Sequence, residues 1–348
     1  MKPEPAAGFR FGFDRPLWLG LGVSAAVIVG GVALAFAVGR YPLTLTDVAT
    51  ILMRRLTGQA SGLPQATEAI VLNIRGPRIL AALLVGSALA SAGTAFQGLF
   101  RNPLVSPDIL GASSGAALGA VLGILLSLDV ASIQILAFLG GLTAVTAVYV
   151  IGSLLRGGDG IVLLVLTGVV IGSLLGAGIG LVKTLADPYN QLPAITFWLL
   201  GSLAATTPAD LVPLALPVLI GTVVLIGLRW KMNVMSLPDE EARALGIATG
   251  PIRCVIVAAA TLITAASVSV AGIVGWVGLV TPHLARALVG PSFPRLLPTA
   301  ALLGGAYLLL IDTLARSIAP VEVPLGVLTA VIGTPFFLGL LARSRGAW

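Results

Sequence analysis

Few residues in this chain could do covalent or metal chemistry. There is one histidine, His283, and one cysteine, Cys254, 29 positions apart. A zinc site takes several Cys, His or acidic ligands, and a nucleophile needs a base beside it. This pair assembles neither, and a lone cysteine excludes an internal disulfide. His283 follows Pro282 and reads as satisfying a backbone group. The three lysines are Lys2, Lys183 and Lys231, and none closes a G-x-x-x-x-G-K-[ST] phosphate loop. No cofactor or metal site is expected here, and any use of ATP falls to another chain. The remaining candidate is Asp312, with Arg316 four residues on, so the two can pair on one helix face.

The elements that must position these residues are apolar. The chain is 57% hydrophobic and 10% charged, with a mean hydropathy of +1.06. Soluble domains carry about 25% charged residues. Unbroken apolar runs, without strand-type alternation, make this an all-α polytopic membrane protein rather than a barrel. The net charge of +6 fits basic residues flanking membrane helices, and no basic run exceeds two residues, so nucleic-acid binding is not expected.

Charge-free windows mark the spans: 17–38, 79–100, 109–128, 130–156 (less its closing Arg156), 160–182, 211–228, 254–285, 296–311 and 323–342. The first is longer than a signal-peptide core of about 7–15 residues and reads as a retained span. The window 254–285 would be about 48 Å long as one helix, against a hydrocarbon core of about 30 Å. It contains Gly272, Gly275, Gly278 and Pro282 and splits into a full span and a short one. About ten transmembrane helices result, in one transmembrane domain over 1–348. Residues 1–16 form a tail, and 232–250 form a polar region between the sixth and seventh spans.

Placing both termini in the cytoplasm puts twelve basic residues inside and seven outside (Arg40, Arg54, Arg55, Arg75, Arg78, Lys183 and Arg316), with Arg286 ambiguous. The outer arginines need a reason of their own. A faint repeat, "AGTAFQGLFRNPL" from Ala92 and "AGIVGWVGLVTPHL" from Ala271, is consistent with two inverted five-helix halves. Glycines recur every four residues at 111–123 and at 168–180, which predicts close helix packing within the chain; a seam between two copies is the alternative. Residues 188–209 read as an outer loop with a short re-entrant or interfacial helix.

Two polar stretches stand out. "SLPDEEARALGIATG", 236–250, has the build of a short cytoplasmic helix: Ser236 as cap, Asp239 in place of the usual capping-box Glu, acids in the first turn, Arg243 later and Gly246 at the end. "RNPLVSPDILG", 101–111, is a tight proline-bearing turn on the same side.

These segments resemble the FecCD permeases, the membrane subunits of ABC importers for ferric siderophores, haem and cobalamin. The resemblance rests on "RGPRILAALLVGSALASAGTAFQGLFRNPLVSPDILGASSGAALG", "EARALG", "GWVGLVTPHLARALVG" and "LPTAALLGGAYLLLIDTLAR…VPLGVLTAVIGTPFF". It implies two permease subunits, here a homodimer, in a bacterial or archaeal cytoplasmic membrane, with two cytoplasmic ATPase subunits that use the ATP and a periplasmic or lipid-anchored substrate-binding protein outside. The family's ATPase-coupling helix falls on Asp239, Glu240, Glu241, Ala242, Arg243, Ala244, Leu245 and Gly246. The arginines that meet the binding protein fall on Arg75, Arg78 and Arg316. The cytoplasmic gate falls on Asn102, Pro103 and Leu104. An iron-siderophore or related chelate is the expected cargo, with haem, cobalamin or a small oxyanion such as molybdate behind it. An ion-coupled secondary transporter is the rival, and the scarcity of intramembrane carboxylates argues against it.

Overall fold

The computed structural model describes residues 16–39, 41–154 and 160–344. The expected tail up to residue 15, together with Arg40, Arg156 and Arg345, lies outside them. Among the described residues the structure is helical, without strands. Seven helices are long and apolar enough to cross a membrane. They are α1 (Leu17–Ala37), the continuous run Gln65–Leu99, α6 (Val130–Leu154), α7 (Gly160–Leu185), α9 (Pro208–Met235), α11 (Thr249–Ala271) and α13 (Phe293–Ala315). Shorter apolar helices are α5 (Ala112–Leu125), α8 (Gln191–Leu200), α12 (Val277–Val289) and α14 (Leu325–Ser344). Two more, α2 (Leu45–Leu56) and α10 (Asp239–Ala244), are polar connectors.

The run Gln65–Leu99 is α3 (Gln65–Ala69), a π-helical segment Ile70–Arg75 and α4 (Gly76–Leu99). It starts well before the expected 79. Arg75 and Arg78 therefore lie inside a helix rather than at its mouth, because their charges are met within the fold. Its C-terminal part, α4, is the central element. Nearly every residue from Pro77 to Leu99 is buried, and α4 packs against α13, α11, α9 and α12. Small residues allow this. A Cβ on Gly93 would run into the Gly278 carbonyl, and one on Gly86 into the Gly304 carbonyl. Helices α1, α6, α7 and α9 are more peripheral.

The window 254–285 divides as expected. Helix α11 stops where Gly272 takes φ +67°, and Trp276 takes φ +69° before α12 begins. The two repeat segments, however, differ locally. Gly93 sits in mid-helix, whereas Gly272 ends one, so the offset of the two Ala-Gly pairs does not mark structurally equivalent positions. The glycines of α5 pack on α6, against Gly140 and Leu136, as close packing within the chain requires. On α7 the pattern divides: Gly168 meets Ile109, whereas Gly176 and Gly180 face open space. The short helix expected within 188–209 is α8, whose end is tied down by Ser202 N–H to the Ala271 carbonyl and Leu325 N–H to the Gly201 carbonyl.

Candidate functional site

Polar residues gather at the two ends of the bundle. One end carries α10 and the turn after α4; the other carries α2 and the loop after α13.

At the first end, α10 forms as a single short turn of helix between α9 and α11. Ser236 does not cap it. Its hydroxyl donates to the Asn233 carbonyl (2.6 Å) at the close of α9, and Pro238 occupies the N-cap without a side-chain bond. The expected capping box fails because Asp239 is drawn elsewhere. Among the described residues, capping boxes form at Thr44–Asp47 before α2 and Thr207–Asp210 before α9. The C-terminus behaves as expected. Gly246 takes φ +81°, its N–H donates to Arg243, and Ile247 N–H donates to Ala242, the two bonds of a Schellman motif. Ala242 is fully buried, while Glu240, Glu241, Arg243, Ala244, Leu245 and Gly246 are exposed. The helix thus has a gripped side and a free side.

Asp239 lies on the gripped side. It accepts from Arg253 at 2.8 Å and pairs with Arg101 at 3.7 Å and Arg243 at 3.9 Å. Arg101 also donates to the Leu237 carbonyl (3.2 Å). Arg101 opens the turn expected as a gate, with φ +52°. Asn102, Pro103 and Leu104 are exposed. Asn102 Oδ1 accepts from Leu104 N–H (2.9 Å), which tightens the turn. A short 3₁₀ segment, Pro107–Leu110, and Gly111 at φ +77° then lead into α5.

Helix α12 braces this turn. His283 Nε2 lies 3.2 Å from the Pro103 carbonyl, which is the backbone role expected for it. Gln97, almost fully buried, donates to the Gly278 carbonyl (3.3 Å) and accepts from Arg286 (2.6 Å). Gln97 and Arg286 were not singled out from sequence as members of this site. The only available signal was a glutamine in a run of small apolar residues, seven residues before Leu104.

At the second end, Arg78 enters from α4. Its Nε and Nη2 donate to Asp312 at 2.9–3.0 Å, and its Nη1 and Nη2 donate to Glu322 at 2.9 and 3.0 Å. Asp312 pairs with Arg316 only at 3.9 Å, so the expected helix-face pair exists but is secondary. Arg75 donates to the Phe36 and Tyr41 carbonyls, and Arg316 donates to the Ala35 carbonyl. Burial pushes the Arg316 guanidinium below its ordinary pKa, and Asp312 opposes that shift. Arg75 and Arg78 are 5% and 8% exposed. The expectation that Arg75, Arg78 and Arg316 offer free charge to a partner meets a different arrangement. All three turn inward, toward carboxylates and helix-end carbonyls, and Arg316 keeps its buried Nε without a hydrogen bond, 3.9 Å from Asp312.

A family model described as the FecCD transport family matches residues 27–343. The molybdate import system permease protein MolB of Haemophilus influenzae is 35% identical over 337 residues, 97% of this chain and 96% of its own length. A probable iron chelatin transport system permease protein of Helicobacter pylori is 41% identical over 277 residues, 80% of this chain and 83% of its own. A solved structure of a metal-chelate type ABC transporter, in an inward-facing conformation, superposes with a TM-score of 0.83 at 33% identity, covering 93% of this chain and 98% of that one.

Proposed function

Because this chain belongs to the FecCD transport family, we propose that it is the membrane-spanning permease of an ATP-binding-cassette importer. In this reading the end bearing α10 faces the cytoplasm, as do both termini. Ten helices cross the membrane: the seven long ones together with α5, α12 and α14. Helix α8 stays on the outer side. Two copies surround one path, two ATPase subunits dock beneath, and a binding protein delivers cargo from outside.

The observation that carries the reading is the two-sided α10. Its Ala242 and Asp239 hold the bundle, while Glu240, Glu241, Arg243 and Leu245 form an exposed surface at the same end as the turn 102–104. That is the arrangement a coupling element needs: one face for a soluble motor and one for the membrane domain. The inward-turned Arg75, Arg78 and Arg316 support a role in holding the shape of the outer docking face rather than reaching across to the binding protein. Asp312, clasped by Arg78, is poorly placed to serve as a free proton carrier, which weighs against the ion-coupled alternative.

An iron-siderophore chelate is the proposed cargo, with haem, cobalamin and molybdate as the competitors. The relatives' names divide between iron chelate and molybdate, so the cargo is a matter for assay. Liposomes holding the chain with a cognate ATPase and binding protein should accumulate one of these four only when ATP is present. Placing valine at Gly246, where φ is +81°, should weaken ATPase co-purification or uptake. Accumulation without the ATPase would overturn the assignment.

A further inference from the structure

We infer that Asp239 is a strut between the ATPase-docking helix and the gate turn, and that Arg101 carries the load. This rests on the importer reading above and goes beyond it by naming the atoms that pass the motion. One carboxylate holds three arginines from three elements. Arg253 comes from the first turns of α11, Arg243 from α10 itself, and Arg101 from the turn after α4. The Arg253 contact is the short one, at 2.8 Å, with a side chain only 14% exposed. It seats α10 on the bundle. The Arg101 contact is longer, at 3.7 Å, and Arg101 also holds the Leu237 carbonyl at the entry to α10. Arg101 therefore grips the docking helix at two points, and the next residue in the chain is Asn102.

The distances decide how the strut divides its work. A displacement of α10 must either stretch the Arg253 pair or drag Arg101. Arg253 lies on a long helix, α11, buried along much of its length, and so serves as the pivot. Arg101 lies on an exposed turn whose backbone takes φ +52° and is joined to α12 through Pro103 and His283. The turn is the part free to move. Asp239 is thus a positioning residue, and Glu240 and Glu241, which face outward, are left for the ATPase.

Arg101→Ala separates the strut from the dock, because it leaves the Asp239–Arg253 pair intact. In the reconstituted complex the ATPase should co-purify as with the parent chain, while substrate moved per ATP hydrolysed falls about fivefold or more. Arg101→Lys should retain most of that ratio. Asp239→Asn combined with Arg101→Ala should fall no further than the worse single variant. A second measurement needs no ATPase. Spin labels at Glu241→Cys and Leu104→Cys, in a Cys254→Ser background and diluted with unlabelled copies so that each dimer holds one labelled chain, should give one narrow distance that Arg101→Ala broadens. An unchanged transport ratio, additive losses or an unaltered distance would overturn the strut. Failure of the parent chain to bind any ATPase would instead sink the importer reading, and the spin-label result would still decide the strut.

Discussion

Arg78 shows how a charge survives inside an apolar bundle. A guanidinium offers five N–H donors in a planar fork, and here the fork meets two carboxylates. Asp312 is 1% exposed, so its charge has no solvent to fall back on. Glu322 is 38% exposed and can rehydrate. Removing Arg78 therefore strands Asp312 and not Glu322. Arg78→Ala should lower stability by about 3–5 kcal/mol, read as a lower thermal midpoint in detergent. Arg78→Met with Asp312→Leu should recover part of that loss, because an apolar pair of similar volume removes the stranded carboxylate, although Arg316 then loses its pair at 3.9 Å. A single Arg78→Ala variant that unfolds with the parent would show that water or Arg316, 3.9 Å away, meets the charge of Asp312. Lysine is no substitute, since one ammonium cannot make the bidentate contact to Asp312 while also holding Glu322.

Among the elements, α4 and α7 place the same residue type in opposite surroundings. Gly93 on α4 lies against the Gly278 backbone, while Gly176 on α7 has nothing within reach of an added Cβ. Leucine at Gly93 should cost about 3 kcal/mol or more, because main chain rather than a flexible side chain must give way. Leucine at Gly176 should cost under about 1 kcal/mol in the isolated chain. Parallel thermal midpoints in detergent check both, and equal losses would mean that α7 is packed in the monomer. Periodicity alone could not tell these glycines apart. The spacing of four showed that each set lies along a face, but what a face meets is a tertiary fact. The same limit explains the other differences. Charge-free windows located the apolar helices and the break after Ala271, because lipid-length runs and helix-breaking glycines are local. They ended a span at Arg78 because its partners are 234 and 244 residues away. The capping box of Ser236 and Asp239 does not form, because Arg101 and Arg253 compete for Asp239 across the fold. Gly246 was legible, since a left-handed terminus is written in one residue.

For the whole molecule, the number of crossings fixes where the ends lie. Seven helices pass on length and composition alone, an odd number that would put the termini on opposite sides. Ten would put them on the same side. The shorter helices decide between these. Helix α12, with 13 residues, rises only about 20 Å, less than a hydrocarbon core of about 30 Å. Yet α12 begins beside the end of α11 and finishes beside the start of α13, which runs back along α4 to Asp312. The break at Gly272–Trp276 supplies part of the missing length, and its irregular backbone is sheltered by Trp198, Gly201 and Gly326 rather than lipid. In the proposed topology, helix and break together make one traverse, as do α5 with the turn 101–111 and α14 with the loop before it. A fluorescent protein that folds only in the cytoplasm, fused after Trp348, should therefore glow, and so should one fused ahead of Met1. A periplasmic reporter inserted between Asp187 and Gln191 should be active. A dark C-terminal fusion beside a bright N-terminal one would mean an odd number of crossings, and α10 could then no longer share a compartment with both ends of the chain.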